Sequence, residues 1–105
     1  MEFTLKYLYH FFDYAMLVWP LLVFLALAII ILGLVVGRLE SWSRFDSIYW
    51  AFITATTVGY GDFRPLRRFS RVISILTALL GVTLTGILVA LAVNAVTLSL
   101  KDLHL

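Results

Sequence analysis

The sequence predicts an all-α membrane protein: two transmembrane helices with a short re-entrant helix and a glycine-punctuated loop between them. Three observations carry that expectation. Hydrophobic residues make up 63% of the 105-residue chain and charged residues 13%. A soluble chain this small could not bury so much apolar surface within itself, so the bilayer must be its solvent. Residues 15–36 and 72–100 are two long runs without a charge, whereas the mostly apolar stretch 45–56 is too short to cross a bilayer. The length permits one domain. Cysteine is absent, which excludes disulfides, thiolate catalysis and Cys-based metal sites. A formal charge of +2 with no basic tail gives no surface suited to nucleic acid.

Residues 1–13 place Glu2, Lys6, His10 and Asp13 at steps of four, four and three, with aromatic and aliphatic residues between them. This spacing predicts an amphipathic helix lying in the membrane interface. Ala26-Leu27-Ala28 imitates a signal-peptide cleavage site, but the apolar run continues to Val36 and no distinctly basic region precedes it, so a retained span is the better reading. The 22 residues 15–36 extend about 33 Å as a helix, enough to cross the hydrocarbon once. Trp19 and Pro20 fall near the start of this expected outer helix (about 15–37), where proline is tolerated. Gly33 and Gly37 fit a small-residue packing pattern. Ser43-Arg44-Phe45-Asp46 reads as a capping box that starts a helix over 44–56. Its carbonyl end would point to the middle of the membrane, where the negative end of the helix dipole favours a cation. After a basic loop containing Pro65, the second run predicts an inner helix over 68–100. The 29 residues 72–100 reach about 43 Å, so the helix must tilt, bend or protrude at its C-terminal end.

Thr57-Val58-Gly59-Tyr60-Gly61-Asp62 follows the short helix directly. Glycine visits φ > 0 at little steric cost. If neighbouring peptides alternate in handedness, their carbonyl oxygens all point one way and the side chains of Val58 and Tyr60 the other. Four such strands around an axis would stack rings of oxygen that replace the water shell of a monovalent cation. The hexapeptide resembles the selectivity filter of potassium channels, with a complete match from Thr57 to Asp62. Glu40-Ser41-Trp42, Tyr49-Trp50 and Thr54-Ala55-Thr56-Thr57 resemble the turret and pore helix of two-span prokaryotic members of that family.

The resemblance implies a fourfold homotetramer with a pore domain over 14–105. The filter is 57–62, and K+ is held by Thr57, Val58, Gly59 and Tyr60. Gly61, Asp62, Tyr49 and Trp50 support it: Tyr49 and Trp50 as an aromatic cuff for Tyr60, and Asp62 tied behind the filter by hydrogen bonds. Some members of that family carry Glu where this chain has Ile53, so a buried carboxylate partner for Asp62 is missing, and the resemblance gives no ground for carrying over that group's filter inactivation. Residues 81–86 resemble the family's inner-helix hinge. Gly81 and Gly86 are its candidates, with close helix packing as the competing role for each. On an inner helix, Val82, Thr85, Val89, Val93 and Thr97 share one face and would line the cavity and its constriction, where Val93 could gate by dewetting. Asn94, the one amide of the span, is expected to make an interhelical hydrogen bond.

The function implied is passive, selective K+ conduction without catalysis or cofactor other than the bound ions. A poorly selective cation channel is the alternative within the class, though Tyr60 is intact. A non-conducting two-span scaffold would leave the filter motif unexplained. His10 and His104 are isolated, with no nucleophile or metal-ligand set beside them. Six arginines (38, 44, 64, 67, 68 and 71) lie between the spans and only Lys6 and Lys101 outside them. Positive-inside counting would therefore put the loop in the cytoplasm. The resemblance instead implies a multi-pass protein of the cell membrane with cytoplasmic termini and an extracellular filter loop. Arg64, Arg67 and Arg68 would then face anionic lipid at the outer rim. The chain reads equally as a minimal channel or as the pore module of a longer protein with a cytoplasmic regulatory domain.

Overall fold

The computed structural model describes residues 1–103, so His104 lies outside it. Three helices account for most of the chain: α1 (Glu2–Leu39), α2 (Arg44–Ala55) and α3 (Arg68–Asp102). The two long helices run antiparallel and pack on each other, and the short one sits against both. Both α1 and α3 are long and apolar enough to cross a membrane. At about 57 and 52 Å they exceed the hydrocarbon thickness of roughly 30 Å. The molecule is 55 Å in its longest dimension.

The interfacial helix expected over 1–13 is not a separate element. It forms the first turns of α1, which continues unbroken to Leu39. No helix-breaking residue stands between Asp13 and Ala15, and the ring stack of Phe3, Tyr7 and Phe11 follows the i,i+4 rows of one helix (centroids 6.5 and 6.0 Å apart). The far end of α3 also holds these turns. Lys6 Nζ donates to the Asp102 carbonyl at 3.3 Å, and His10 Nε2 lies 2.6 Å from Asp102 Oδ2. A consequence is that Pro20 is interior to α1 rather than near its start. It leaves the carbonyl four residues earlier without an intrahelical donor.

The start of α2 follows the capping pattern. Ser43 has extended backbone angles and its Oγ accepts from the Asp46 amide at 3.1 Å. The helix begins at Arg44 and ends at Ala55, one residue short of the expected 56. α3 begins at Arg68 as expected and runs two residues past the expected end. Its buried positions are all small: Ser70, Thr77, Gly81, Ala95 and Ser99. The hydroxyls of Ser74, Thr77, Thr83, Thr97 and Ser99 donate to carbonyls four residues back, at 2.7–3.1 Å. Internal bonding of this kind lets polar side chains sit in apolar surroundings.

Small residues set how closely α2 approaches its neighbours. A Cβ on Gly33 would come within 2.6 Å of the Ala51 Cβ, and one on Gly37 within 2.6 Å of the Ser47 Cβ. The Gly33/Gly37 pair of α1 thus meets the Ser47/Ala51 pair of α2, both at four-residue spacing. From the other side, a Cβ on Gly81 would lie 2.6 Å from the Ala55 carbonyl oxygen, whereas one on Gly86 meets nothing within 4 Å. The core is the cluster of Ile29, Val36, Trp50, Ala51 and Ala55, with Trp42, Phe63, Ile73, Leu80 and Leu84 packed around it.

The two glycines of α3 should respond oppositely to alanine. Gly81→Ala drives a methyl against backbone that cannot rotate away, and is expected to cost about 1–3 kcal/mol. Gly86→Ala should be neutral or stabilising by up to about 1 kcal/mol through helix propensity. Thermal unfolding midpoints in detergent separate the two, and an equal loss at both positions would contradict the packing assigned to Gly81.

Candidate functional site

The functional stretch begins where α2 stops. Thr56 terminates the helix with its amide bonded to Phe52 O at 2.9 Å, and its own Oγ1 donates to the same carbonyl at 2.7 Å. The backbone then enters the left-handed region at every second residue: Thr57 (φ 63°), Gly59 (φ 59°) and Gly61 (φ 82°), with Val58 and Tyr60 between them outside it. Alternation of this kind turns successive carbonyls toward one side of the strand. Gly59 and Gly61 adopt it without penalty. Thr57 is β-branched, and such a residue at positive φ carries roughly 1–3 kcal/mol of strain. Its position is fixed by its amide, bonded to Thr54 O at 3.2 Å, and by its Oγ1, bonded to Thr56 O at 2.6 Å. Two residues on, the Gly59 amide reaches back to Ile53 O at 3.1 Å. The last turn of α2 is therefore the template on which the strand is laid.

Val58 and Tyr60 project into the open, 52% and 72% exposed. Asp62 lies behind the strand: its Oδ1 accepts from the Phe63 amide at 3.1 Å and its carboxylate is hydrogen-bonded to the Tyr49 side chain. Phe63 fills the space between Trp42 and Tyr49, with ring centroids 5.4 and 6.1 Å away. Trp50, expected to brace Tyr60, is only 4% exposed and packs on Trp42 at 5.8 Å within the core. Among the described residues, the Tyr60 ring has no aromatic partner in its own chain. Ile53 is buried.

On α3, Val82, Val89, Val93 and Thr97 are all exposed in a single chain. Thr85 departs from that set: it is half-buried, and its Oγ1 donates to Ala55 O at 3.4 Å, at the end of α2. Asn94, expected to bond to another helix, is exposed and has no such partner among the described residues of its own chain.

The residue that sequence reasoning missed is Glu40. Its carboxylate leaves the end of α1 and caps α3, accepting from the Leu66 amide at 2.6 Å, the Arg67 amide at 3.2 Å and Ser70 Oγ at 3.0 Å. These donors, the Leu66 amide first among them, hold the carboxyl below its ordinary pKa against the opposing effect of desolvation. One signal was present in the sequence. The residue preceding α3 is Arg67, which offers no side-chain acceptor, so the first amides of that helix needed an acceptor from elsewhere.

The profile of a family described as ion channel matches residues 14–98. The chain is 46% identical over 67 residues to TWiK family of potassium channels protein 7 of Caenorhabditis elegans, covering 59% of this chain and 12% of that one. It is 42% identical over 52 residues to a voltage-gated potassium channel of Aeropyrum pernix (50% and 18%). It is 34% identical over 70 residues to putative potassium channel protein YugO of Bacillus subtilis (60% and 21%). The matched segments thus span about a fifth or less of these relatives' lengths. No solved structure matches significantly.

The Glu40 cap predicts a pH dependence. A carboxylate whose folded pKa is depressed stabilises the fold above its unfolded value, and loses that contribution as pH falls through the folded one. Stability should therefore decline below about pH 4.3, the unperturbed glutamate value. Glu40→Gln should lower the unfolding midpoint at neutral pH and flatten the acid limb of the curve. An unchanged acid limb would show that Glu40 does not carry this dependence.

Proposed function

The chain belongs to the ion channel family, and on that premise we propose that it is the pore-forming part of a potassium-selective channel, conducting K+ passively through a homotetramer. The observation that carries this reading is the alternation of backbone handedness from Thr57 to Gly61, because it aims consecutive carbonyls the same way. The carbonyls of Thr57, Val58, Gly59 and Tyr60, with the Thr57 hydroxyl, supply the oxygens of the ion sites. One copy cannot surround a dehydrated ion, whereas four copies close a ring of eight oxygens at each site. The exposure of Val58, Tyr60 and the apolar outer face of α3 supports the same conclusion, since each copy would cover surface that its neighbour leaves open.

In this assembly α2 is a re-entrant pore helix with its carbonyl end toward the pore, favouring a cation there. Gly61 gives the strand its last left-handed step. Asp62, Tyr49 and Trp50 hold it from behind. Val82, Val89, Val93 and Thr97 line the water-filled path, with Val93 in the constriction. Thr85 stands at the junction of that path with α2. Of the two hinge candidates, Gly86 is the one whose surroundings leave room for a bend, while Gly81 is committed to contact with Ala55. The chain sits in the cell membrane with both termini cytoplasmic and the filter loop outside. Arg64, Arg67 and Arg68 attract anionic lipid there by screened charge. A cytoplasmic regulatory domain in a longer protein would act through the end of α3.

Flux from liposomes containing the purified chain tests the proposal. Potassium efflux that barium blocks and sodium does not match is expected from the native chain. Gly59→Ala forces a side chain into the left-handed region at about 1–2 kcal/mol in every copy, and should abolish flux while leaving the tetramer intact. Equal sodium and potassium flux would point to an unselective cation channel. A silent native tetramer would reduce the chain to a scaffold.

A further inference from the structure

We propose that the groove between the end of α1 and the start of α2 is a binding site for the headgroup of an anionic phospholipid, with Arg38 and Arg44 as its two cationic contacts. The groove has a volume of about 460 Å³ and is lined by Leu34, Arg38, Trp42, Arg44 and Ser47. That size lies within the range of ordinary small-molecule sites. Arg38 is in the last turn of α1 and Arg44 is the first residue of α2, so a tight turn brings two guanidinium groups to one opening.

Neither arginine is neutralised by the protein. Among the described residues no carboxylate lies within 4.0 Å of either guanidinium; the one ion pair found is His10–Asp102. The acids at this end of the molecule are otherwise occupied or out of reach. Glu40 is engaged by the Leu66 and Arg67 amides and by Ser70. Asp46, in the first turn of α2, is not within ion-pair distance of either arginine. Both guanidiniums are exposed and open to a ligand, and a phosphate matches the planar, two-pronged donor geometry of each. The positive end of α2 adds to the same potential.

The occupant is a lipid rather than a free anion because of what else lines the groove. Trp42 belongs to the residue type that settles at headgroup depth. Leu34 lies one helical turn below Arg38, toward the middle of the span, and continues the groove with apolar surface. A phosphate seated between the arginines would direct its acyl chains along that surface, whereas a soluble anion gains nothing from it. Arg64 and Arg68 carry equal charge but do not line the groove, so their attraction for lipid is diffuse. The site is independent of whether the assembly conducts.

Native mass spectrometry of the purified chain, taken from membranes of equal phosphatidylglycerol and phosphatidylcholine, tests the site. The native chain should retain phosphatidylglycerol selectively. At about 1 kcal/mol per arginine, Arg38→Gln and Arg44→Gln should each weaken retention roughly fivefold, and the double variant roughly thirtyfold. Arg64→Gln/Arg68→Gln, which removes the same charge, should lose much less. Retention by either single groove variant equal to the native chain overturns the two-arginine site. Equal losses from the two double variants would leave only diffuse attraction. Displacement of the lipid by millimolar inorganic phosphate would overturn the choice of a lipid over a free anion.

Discussion

The closeness with which α2 is gripped determines what the rest of the molecule can do. Its last turn is wedged against Ala55's neighbour Gly81 on one side, and its middle against Gly33 and Gly37 on the other, at separations that exclude a Cβ. Such contacts are short-range and steep, because a close-packed interior has no slack to give. In lipid, where no hydrophobic force drives helices together, backbone proximity and van der Waals packing hold them. Small residues are therefore where this chain gains its rigidity. The carbonyls of Ile53 and Thr54, which orient the Gly59 and Thr57 amides, inherit their positions from that grip.

Order at the site comes from backbone more than from side chains. Two amides of the loop end on carbonyls of the preceding helix, and two threonine hydroxyls satisfy carbonyls next to them. The side chains behind the strand form a wall: Tyr49 to Asp62, Phe63 between Trp42 and Tyr49, and Trp50 against Trp42. Backbone conformation encoded by glycine is less variable than a rotamer, and the rings supply bulk beside it.

The parts of the fold legible in the sequence were those written in local patterns. The capping signal at Ser43, the short length of the stretch after it and the glycines at 59 and 61 fixed where α2 starts and how the loop behaves after it. The parts that were not legible depend on contacts distant in sequence. Nothing in residues 1–13 announces that Lys6 and His10 meet Asp102, so their spacing predicts a separate amphipathic element where the structure has the first turns of α1. The same oversight placed Pro20 near a helix start rather than inside one. Glu40 was read within a resemblance, yet its partners are 26 and more residues away. For Trp50, the resemblance implies bracing of Tyr60, and within one chain its ring packs on Trp42. Thr85 fits a periodic face, and its contact with Ala55 O could not be read from that period.

The two long helices are fastened to each other at opposite extremities. At one extremity Glu40 grasps the opening turn of α3, and at the other Asp102 takes Lys6 and His10 of α1. A pair of rods pinned at both tips cannot slide lengthwise without releasing a pin, so displacement between the tips must take the form of bowing. At Gly86, which has no neighbour within reach of a methyl, no packing contact opposes such curvature.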